Sequence, residues 1–304
     1  MFTQSSATLG YIFILLTCVT NAVSFVFIAN LNQTHNELLS LAATFGYATI
    51  VFNLINFRHI RPLYRLVANN FALFVKMNLV TYLSWLAAFY ALNYLDPATV
   101  VCLCFGLIAV ANFFIITPIN RFKESQHLIL CALFILLSMG LLISQYLTGS
   151  IHSVRETLLG VAWCMVSGFF GGFIGIYSVQ MGNVGFTITQ ILATRFQILV
   201  IASLAAFLFT TQHTSIIIDW KYYFLASFLV VFLPLLTYQA AIKALGALLV
   251  SFLEPFTPII TYFLQIAVAN YQFNPMRFCL LILTCIAIIW FVRIEHKMLS
   301  RQSS

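Results

Sequence analysis

Three ionisable residues lie inside long apolar stretches and are the first candidates for chemistry: Glu254, Arg195 and Lys76. A charged side chain inside an apolar layer is costly unless it faces a cavity or a partner. Glu254 could exchange a proton or attract a cationic amine, or it could bond neighbouring backbone or pair with Arg195. Arg195 could bind a substrate carboxylate or serve in that ion pair. Lys76 lies near the end of its stretch and is interpreted as an anchor that reaches outward to the membrane surface.

Polar and aromatic side chains recur at helical spacing around these residues. Steps of three or four positions place Asn78, Tyr82 and Trp85 on one helix face. As a set, such residues predict an aromatic-walled cavity with a few polar groups, which suits a flat or amphipathic small molecule. Ordinary helix packing is the alternative. Beside Glu254 and Arg195, the predicted substrate-binding or coupling residues are Tyr82, Trp85, Asn78, Asn112, Tyr238, Gln239, Trp163, Tyr262 and Ser251.

The composition excludes a water-soluble fold. Of the 304 residues, 62% are hydrophobic and 7% are charged, whereas about a quarter of a soluble domain is charged. The net charge of +7 comes from residues in short connecting segments and forms no basic face for nucleic acid. The seven cysteines lie in apolar stretches and are interpreted as small hydrophobic side chains. We therefore predict an all-α integral membrane protein that contacts the lipid bilayer and a small-molecule substrate, with no metal and no cofactor.

Apolar stretches of the length that crosses a bilayer, about 20 residues as a helix, occur ten times along the chain. Numbered as spans 1 to 10, they are predicted at 9–29, 38–57, 70–92, 97–118, 127–147, 158–181, 186–209, 221–242, 246–268 and 275–293. Short connections between them leave no room for a soluble domain.

The lysine and arginine residues between the spans predict the orientation, because cytoplasmic loops are enriched in them. One side holds nine of these residues, the other side holds three, and Lys76 and Arg195 lie within spans. The nine are Arg58, Arg61, Arg65, Arg121, Lys123, Lys243, Arg293, Lys297 and Arg301, and the three are Arg155, Lys221 and Arg277. Both termini are therefore predicted to be cytoplasmic, and the protein is predicted to lie in the inner or plasma membrane. An even number of spans agrees with this, because it places both termini on the same side.

The two halves of the chain align with each other at a constant shift of 150 residues. Leu9 and Gly10 align with Leu159 and Gly160, and the predicted span boundaries match across all five pairs. Residues 1–150 and 151–304 are therefore predicted to be two repeats of five spans. Because five is odd, the second repeat enters the membrane upside down. Inverted repeats of this kind are typical of secondary transporters, which bind substrate near the midplane between the halves.

Several segments resemble the ten-helix EamA-like branch of the drug/metabolite transporter superfamily. They are Tyr90-Ala-Leu-Asn-Tyr-Leu-Asp-Pro-Ala-Thr99, Phe122-Lys-Glu-Ser125, Lys243-Ala-Leu-Gly-Ala247 and Ser251-Phe-Leu-Glu-Pro-Phe-Thr-Pro258. The resemblance covers essentially the whole chain and implies efflux of small metabolites, often amino acids, or of drugs by alternating access. Family members often carry arginine in both the second and the seventh helices. Here Arg195 is in the seventh, and its repeat mate in the second is Phe45.

Two other classes of membrane protein are alternatives to a transporter. A membrane-embedded enzyme needs a deep serine–histidine pair, clustered metal ligands or several deep acidic residues, and only Glu254 among the acidic residues is deep. A channel needs a ring of carbonyls or charges as a filter, and no such loop is evident. The sequence therefore favours a secondary transporter, with proton coupling through Glu254 as one form of it.

Overall fold

The computed structural model describes residues 4–116, 126–149, 153–210, 220–245, 250, 253–269 and 271–302. Helices account for nearly all of these residues, and no strand occurs among them. In chain order the α-helices are α1 (Gln4–Thr34), α2 (Glu37–Ile55), α3 (Ile60–Asn69), α4 (Phe71–Ala91), α5 (Pro97–Ile116), α6 (Gln126–Gly149), α7 (Val154–Asn183), α8 (Ile188–Thr194), α9 (Gln197–Thr210), α10 (Trp220–Ser227), α11 (Leu233–Leu245), α12 (Thr257–Ala269) and α13 (Pro275–Gln302).

Eight helical segments of the described chain are long and apolar enough to cross a membrane. Four are α1, α2, α4 and α6, and two more are α7 and α13. The remaining two are the pairs α8–α9 and α10–α11, each counted as one segment. They coincide with predicted spans 1, 2, 3, 5, 6, 7, 8 and 10. The helices at predicted spans 4 and 9 are α5, whose apolar stretch is the shorter Pro97–Asn112, and α12.

Helix α3 occupies the segment between spans 2 and 3, where the sequence predicted only a short basic loop. Leu63 and Val67 are buried in the bundle, whereas Arg61 and Arg65 are exposed. Each pair is four residues apart, which is the spacing of one helix face. The segment is too polar to span a bilayer, so its sequence contains no long apolar stretch that would predict a helix. An amphipathic helix of this kind suits a position along the membrane surface.

The main packing contacts join one half of the chain to the other. Helix α1 packs along α11 and α12, and α7 packs along α4 and α5. Helix α2 packs on α8 and α9, and α6 packs on α13. The principal packing partners of these helices are therefore distant in sequence.

Glycines allow close approach at two corresponding points of this packing. A Cβ placed on Gly10 of α1 would lie 2.6 Å from Cγ of Leu245. A Cβ placed on Gly160 of α7 would lie 2.8 Å from Cγ of Leu95. A side chain at either glycine would therefore overlap the leucine that packs against it.

Candidate functional site

Predicted span 7 is interrupted in its middle, between the end of α8 at Thr194 and the start of α9 at Gln197. A continuous helix would join the Ile198 amide to the Thr194 carbonyl. Instead the Asn78 side chain of α4 inserts between them. Its Nδ2 donates to the Thr194 carbonyl at 2.9 Å, and its Oδ1 accepts from the Ile198 amide at 3.1 Å. The backbone groups freed by the break are thus bonded within the protein, as membrane depth requires.

A second asparagine supports the same break from α2. Asn53 Nδ2 donates to the Ala193 carbonyl at 2.9 Å, and Asn53 Oδ1 accepts from the Tyr64 hydroxyl at 3.2 Å. Gln197 Nε2 donates to the same tyrosine oxygen at 2.6 Å. Side chains inserted into a helical hydrogen-bond ladder are a known cause of kinks, so the interruption is built from α2, α3 and α4 together.

Arg195 lies at this interruption and is buried, with 9% of its surface exposed. Its guanidinium carbon is 4.9 Å from the centroid of the Phe196 ring. Its Nε is buried and has no hydrogen-bond partner among the described residues. The structure thus places a cation next to a helix break, on an aromatic ring.

Glu254 also lies at a helix discontinuity, in a 3-10 turn over Glu254–Phe256 that precedes α12. Prolines follow at 255 and 258 and cannot donate to the helical ladder. The Thr257 hydroxyl donates to the Glu254 carbonyl at 2.7 Å, and the Cys18 thiol of α1 donates to the Leu253 carbonyl at 3.5 Å. Glu254 as a residue is half-buried, and its carboxyl group interacts electrostatically with Tyr238 of α11 and with Cys18.

Glu254 and Arg195 are separate features of the bundle. Both are described, and no ion pair joins their side chains. Electrostatic interactions tie Glu254 to residues of α1 and α11, whereas Arg195 lies at the break that α2 and α4 support. The geometry does not support the structural pairing that the sequence left open.

The predicted aromatic face of α4 is divided between packing and partial exposure. Asn78 is fully buried, and its amide is used by the backbone of Phe74, Thr194 and Ile198. Tyr82 and Trp85 are half-buried, and the Trp85 ring is 4.9 Å from the ring of Phe45. The polar member of this face thus holds the helix break, and the aromatic members remain candidates for contact with substrate.

Helix α7 approaches α5 closely through glycines, and Asn112 of α5 packs against one of them. A Cβ on Gly168 would clash with Leu107 and lie 3.0 Å from the Cys104 carbonyl oxygen, and a Cβ on Gly172 would lie 3.0 Å from Oδ1 of Asn112. That oxygen is buried without a hydrogen-bond partner among the described residues.

The remaining predicted residues are divided between the middle of the bundle and its ends. Trp163 of α7 is half-buried and stacks on Tyr90 at 5.2 Å between ring centroids. Tyr238 and Gln239 of α11 are half-buried. Tyr262, in the middle of α12, is buried, and its hydroxyl donates to the Asn274 carbonyl at 2.9 Å and accepts from the Asn274 amide at 2.7 Å. Ser251 lies outside the described residues.

A buried polar cluster around Asp96 was not among the predicted residues. It lies where α5 begins, at the end of the bundle predicted to face outward. Asp96 Oδ1 accepts from the Thr99 amide at 3.1 Å, and the Thr99 hydroxyl bonds Asp96 Oδ2 at 3.1 Å and the Tyr146 hydroxyl at 3.0 Å. Burial raises the pKa of Asp96 above its usual value, although these hydrogen bonds and the Arg277 charge act in the opposite direction. Aspartate followed by proline is a helix-start signal that could have indicated this cap.

Comparison with known families bears on the part of the chain that holds Arg195 and Glu254. The model of the EamA-like transporter family matches residues 158–293. This part of the chain is thus similar to an EamA-like transporter domain. The match confirms the resemblance over spans 6 to 10 and assigns the chain to the multi-pass membrane proteins. Arg195, Tyr238, Glu254, Trp163 and Tyr262 all lie within the EamA-like domain.

Comparison with solved structures concerns the fold. A solved crystal structure of a protein superposes with a TM-score of 0.60 at 16% sequence identity, covering 99% of both chains. At that identity the likeness shows the fold alone, and it extends over both the EamA-like domain and the first half of the chain. Among curated proteins no match is found.

Proposed function

We propose that this chain is a secondary active transporter that exports a small metabolite, an amino acid or similar compound, or a drug. It acts across the plasma (inner) membrane by alternating access. The observation that carries the proposal is the pair of interrupted spans. One places Arg195, and the other places Glu254, at a break in a helix near the predicted midplane. Broken helices that expose ionisable groups at this depth are typical of substrate and coupling sites in secondary transporters.

The packing of the bundle supports two inverted repeats, residues 1–150 and 151–304, with ten spans in all. Span 1 packs on spans 8 and 9, and span 6 packs on spans 3 and 4, which are the corresponding partners in the other half. Spans 2 and 7 pack on each other, as do spans 5 and 10 and also spans 4 and 9. The pattern of contacts is therefore preserved when the halves are exchanged, as a two-fold axis in the membrane plane requires.

The two glycine–leucine contacts follow the same shift of 150 residues. Gly10 packs on Leu245, and Gly160 packs on Leu95. In the predicted orientation the first contact is at the cytoplasmic end and the second at the outer end, with both termini cytoplasmic. This orientation rests on the distribution of lysine and arginine, and a carboxyl-terminal reporter found outside the cell would contradict it.

Glu254 is the residue proposed to couple export to protons. The residue is half-buried at a helix discontinuity, and its carboxyl group has no ion-pair partner among the described residues. A carboxyl group in such a place can bind a proton in one state and release it in another. The predicted partners are thus a proton and a small-molecule substrate within the lipid bilayer, with no cofactor.

The test uses the full-length protein in proteoliposomes, with Glu254→Gln as the variant. Radiolabelled amino acids and amines are offered in two assays, exchange against unlabelled substrate and accumulation driven by a pH gradient. We expect the wild type to perform both. Glu254→Gln should retain exchange and lose at least about tenfold of the pH-driven accumulation, because the amide cannot carry a proton.

Glu156→Gln is the matched control, because glutamine also completes the capping box that Glu156 forms with Ser153. It should leave both assays unchanged. If Glu254→Gln accumulates substrate as the wild type does, coupling through this residue is refuted and transport stands. Flux that neither saturates nor shows exchange would instead indicate a channel.

A further inference from the structure

Arg195 is a buried cation for which the described part of the protein supplies no counter-charge. The residue is 9% exposed, and its Nε has no acceptor among the described residues. The chain has seven acidic residues, and Glu254 alone lies in the interior of a predicted span. Glu254 forms no ion pair with Arg195. A cation at membrane depth needs an anion, so a mobile anion is the remaining source of neutralising charge.

The helix break around Arg195 adds to the positive potential there. The carbonyls of Ala193 and Thr194 already accept hydrogen bonds from Asn53 and Asn78. Helix α9 begins at Gln197 and runs for 14 residues, so the positive end of its dipole lies at the break. A helix amino terminus and a guanidinium group together form the setting in which proteins bind carboxylate and phosphate groups.

Aromatic rings lie next to the Arg195 guanidinium and make its surroundings apolar. The ring of Phe196, against which the guanidinium lies, is 5.0 Å from the ring of Phe45, and that ring is 4.9 Å from Trp85. Apolar surroundings keep water away and strengthen the attraction between a cation and a bound anion. Phe45 and Phe196 are fully buried, so contact with an apolar part of the same ligand falls to the half-buried Trp85.

We infer that Arg195, at the positive end of α9, binds the carboxylate of the transported substrate. This inference rests on the proposed function and restricts its substrates to those that carry a carboxylate. A guanidinium binds a carboxylate through two parallel hydrogen bonds, and the apolar part of the substrate lies toward the half-buried ring of Trp85.

The test compares ligands that differ only in the carboxylate. The purified full-length protein in detergent is melted with leucine or leucinamide, phenylacetate or phenylacetamide, and succinate or succinamide, all at one ionic strength. Sodium chloride serves as the inorganic anion. We expect at least one carboxylate to raise the melting temperature while its amide and chloride do not. Arg195→Gln should weaken binding of that carboxylate by at least about tenfold.

Two further variants separate ligand binding from a structural role. Without ligand, Arg195→Gln should melt at or above the wild-type temperature, because the substitution removes an unpaired buried charge. A structural ion pair would give the opposite result. Lys76→Gln also removes a cation from a predicted span, but Lys76 is exposed, and this variant should respond to the carboxylate as the wild type does.

Several outcomes would overturn the inference. They are equal stabilisation by the amides, stabilisation by chloride alone, no response to any carboxylate, and an undiminished response in Arg195→Gln. Exchange assays in proteoliposomes keep the two proposals apart. If Arg195→Gln exchanges substrate like the wild type, the carboxylate site is wrong and transport stands. If the wild type binds a carboxylate through Arg195 but exchanges none, the site stands and the transport function fails.

Discussion

At the scale of single residues, Asn78 joins two helices through one side-chain amide. It replaces the backbone hydrogen bond between Ile198 and Thr194, and it also donates to the Phe74 carbonyl of its own helix. The break in span 7 is therefore maintained by a group on another helix. The position of Arg195, which lies within that break, depends on the same amide.

We expect Asn78→Ala to lower the free energy of unfolding by about 1–3 kcal/mol, because the Thr194 carbonyl and the Ile198 amide lose a buried partner. Graded unfolding in denaturing detergent measures the change. Asn69→Ala is the control, since Asn69 is exposed on α3, and it should leave stability unchanged. A variant at position 78 that is as stable as this control but inactive in transport would indicate a direct contact with substrate instead.

At the scale of helices, the contact between α5 and α7 depends on the lack of a side chain at one glycine. The Cys104 carbonyl oxygen would lie 3.0 Å from a Cβ on Gly168, and Leu107 would clash with it. Backbone and Cβ atoms cannot move aside as a flexible side chain can. The two helices would therefore have to separate.

We expect Gly168→Ala to destabilise the protein by about 1–3 kcal/mol, the usual effect of overpacking. The matched control is Gly175→Ala, two turns further along α7, where a Cβ would meet nothing within 4 Å. That change should be neutral or stabilise by up to about 1 kcal/mol, because alanine favours a helix. Equal melting temperatures for the two variants would show that the close contact does not contribute to stability.

The sequence predicted the helices well and their interruptions poorly. Each of the eight long apolar helices coincides with a predicted span, because length and hydropathy are properties of the segment itself. The break in span 7 contains neither glycine nor proline. Its cause is Asn78 and Asn53, which lie 116 and 140 residues away from their carbonyl partners. Asparagine on a helix face predicted a polar wall, but only the packing shows which groups that asparagine contacts.

The candidate residues likewise differ in how far the sequence alone predicts them. Glu254 and Arg195 were evident from the sequence, since an ionisable group in an apolar stretch requires an explanation. Tyr262 shares a helix face with Glu254, yet its hydroxyl bonds the backbone of Asn274. Helical spacing gives the direction of a side chain around the axis and gives no information on depth or partner.

At the scale of the whole molecule, the contacts of Gly10 and Gly160 are at opposite ends of the bundle under the proposed inverted repeat. Gly10 approaches Leu245 and Gly160 approaches Leu95, the first at the cytoplasmic end and the second at the outer end in the proposed orientation. Alternating access requires one end to open while the other closes. Loosening each contact should therefore favour opposite conformations.

We expect Gly160→Ala to increase access to the interior from outside and Gly10→Ala to increase it from the cytoplasm. The measurement is labelling of Trp85→Cys by a membrane-impermeant maleimide from each side, with the exposed Cys279 replaced by serine. Gly175→Ala should change neither rate. Changes of the same sign in both glycine variants would contradict opposed gates at the two ends.

The way in which the two halves interlock has a consequence for biosynthesis. Helix α1 leaves the ribosome well before its main neighbours, α11 and α12, which lie about 200 residues or more later in the chain. The main partners of α2, which are α8 and α9, are likewise synthesised later than α2 itself. Most of the early helices must therefore remain in the bilayer as separate helices, held by their own backbone hydrogen bonds, until the later ones arrive. A ribosome that stalls after the first five helices would leave those helices without their partners, and this intermediate is the one that membrane proteases and chaperones would meet.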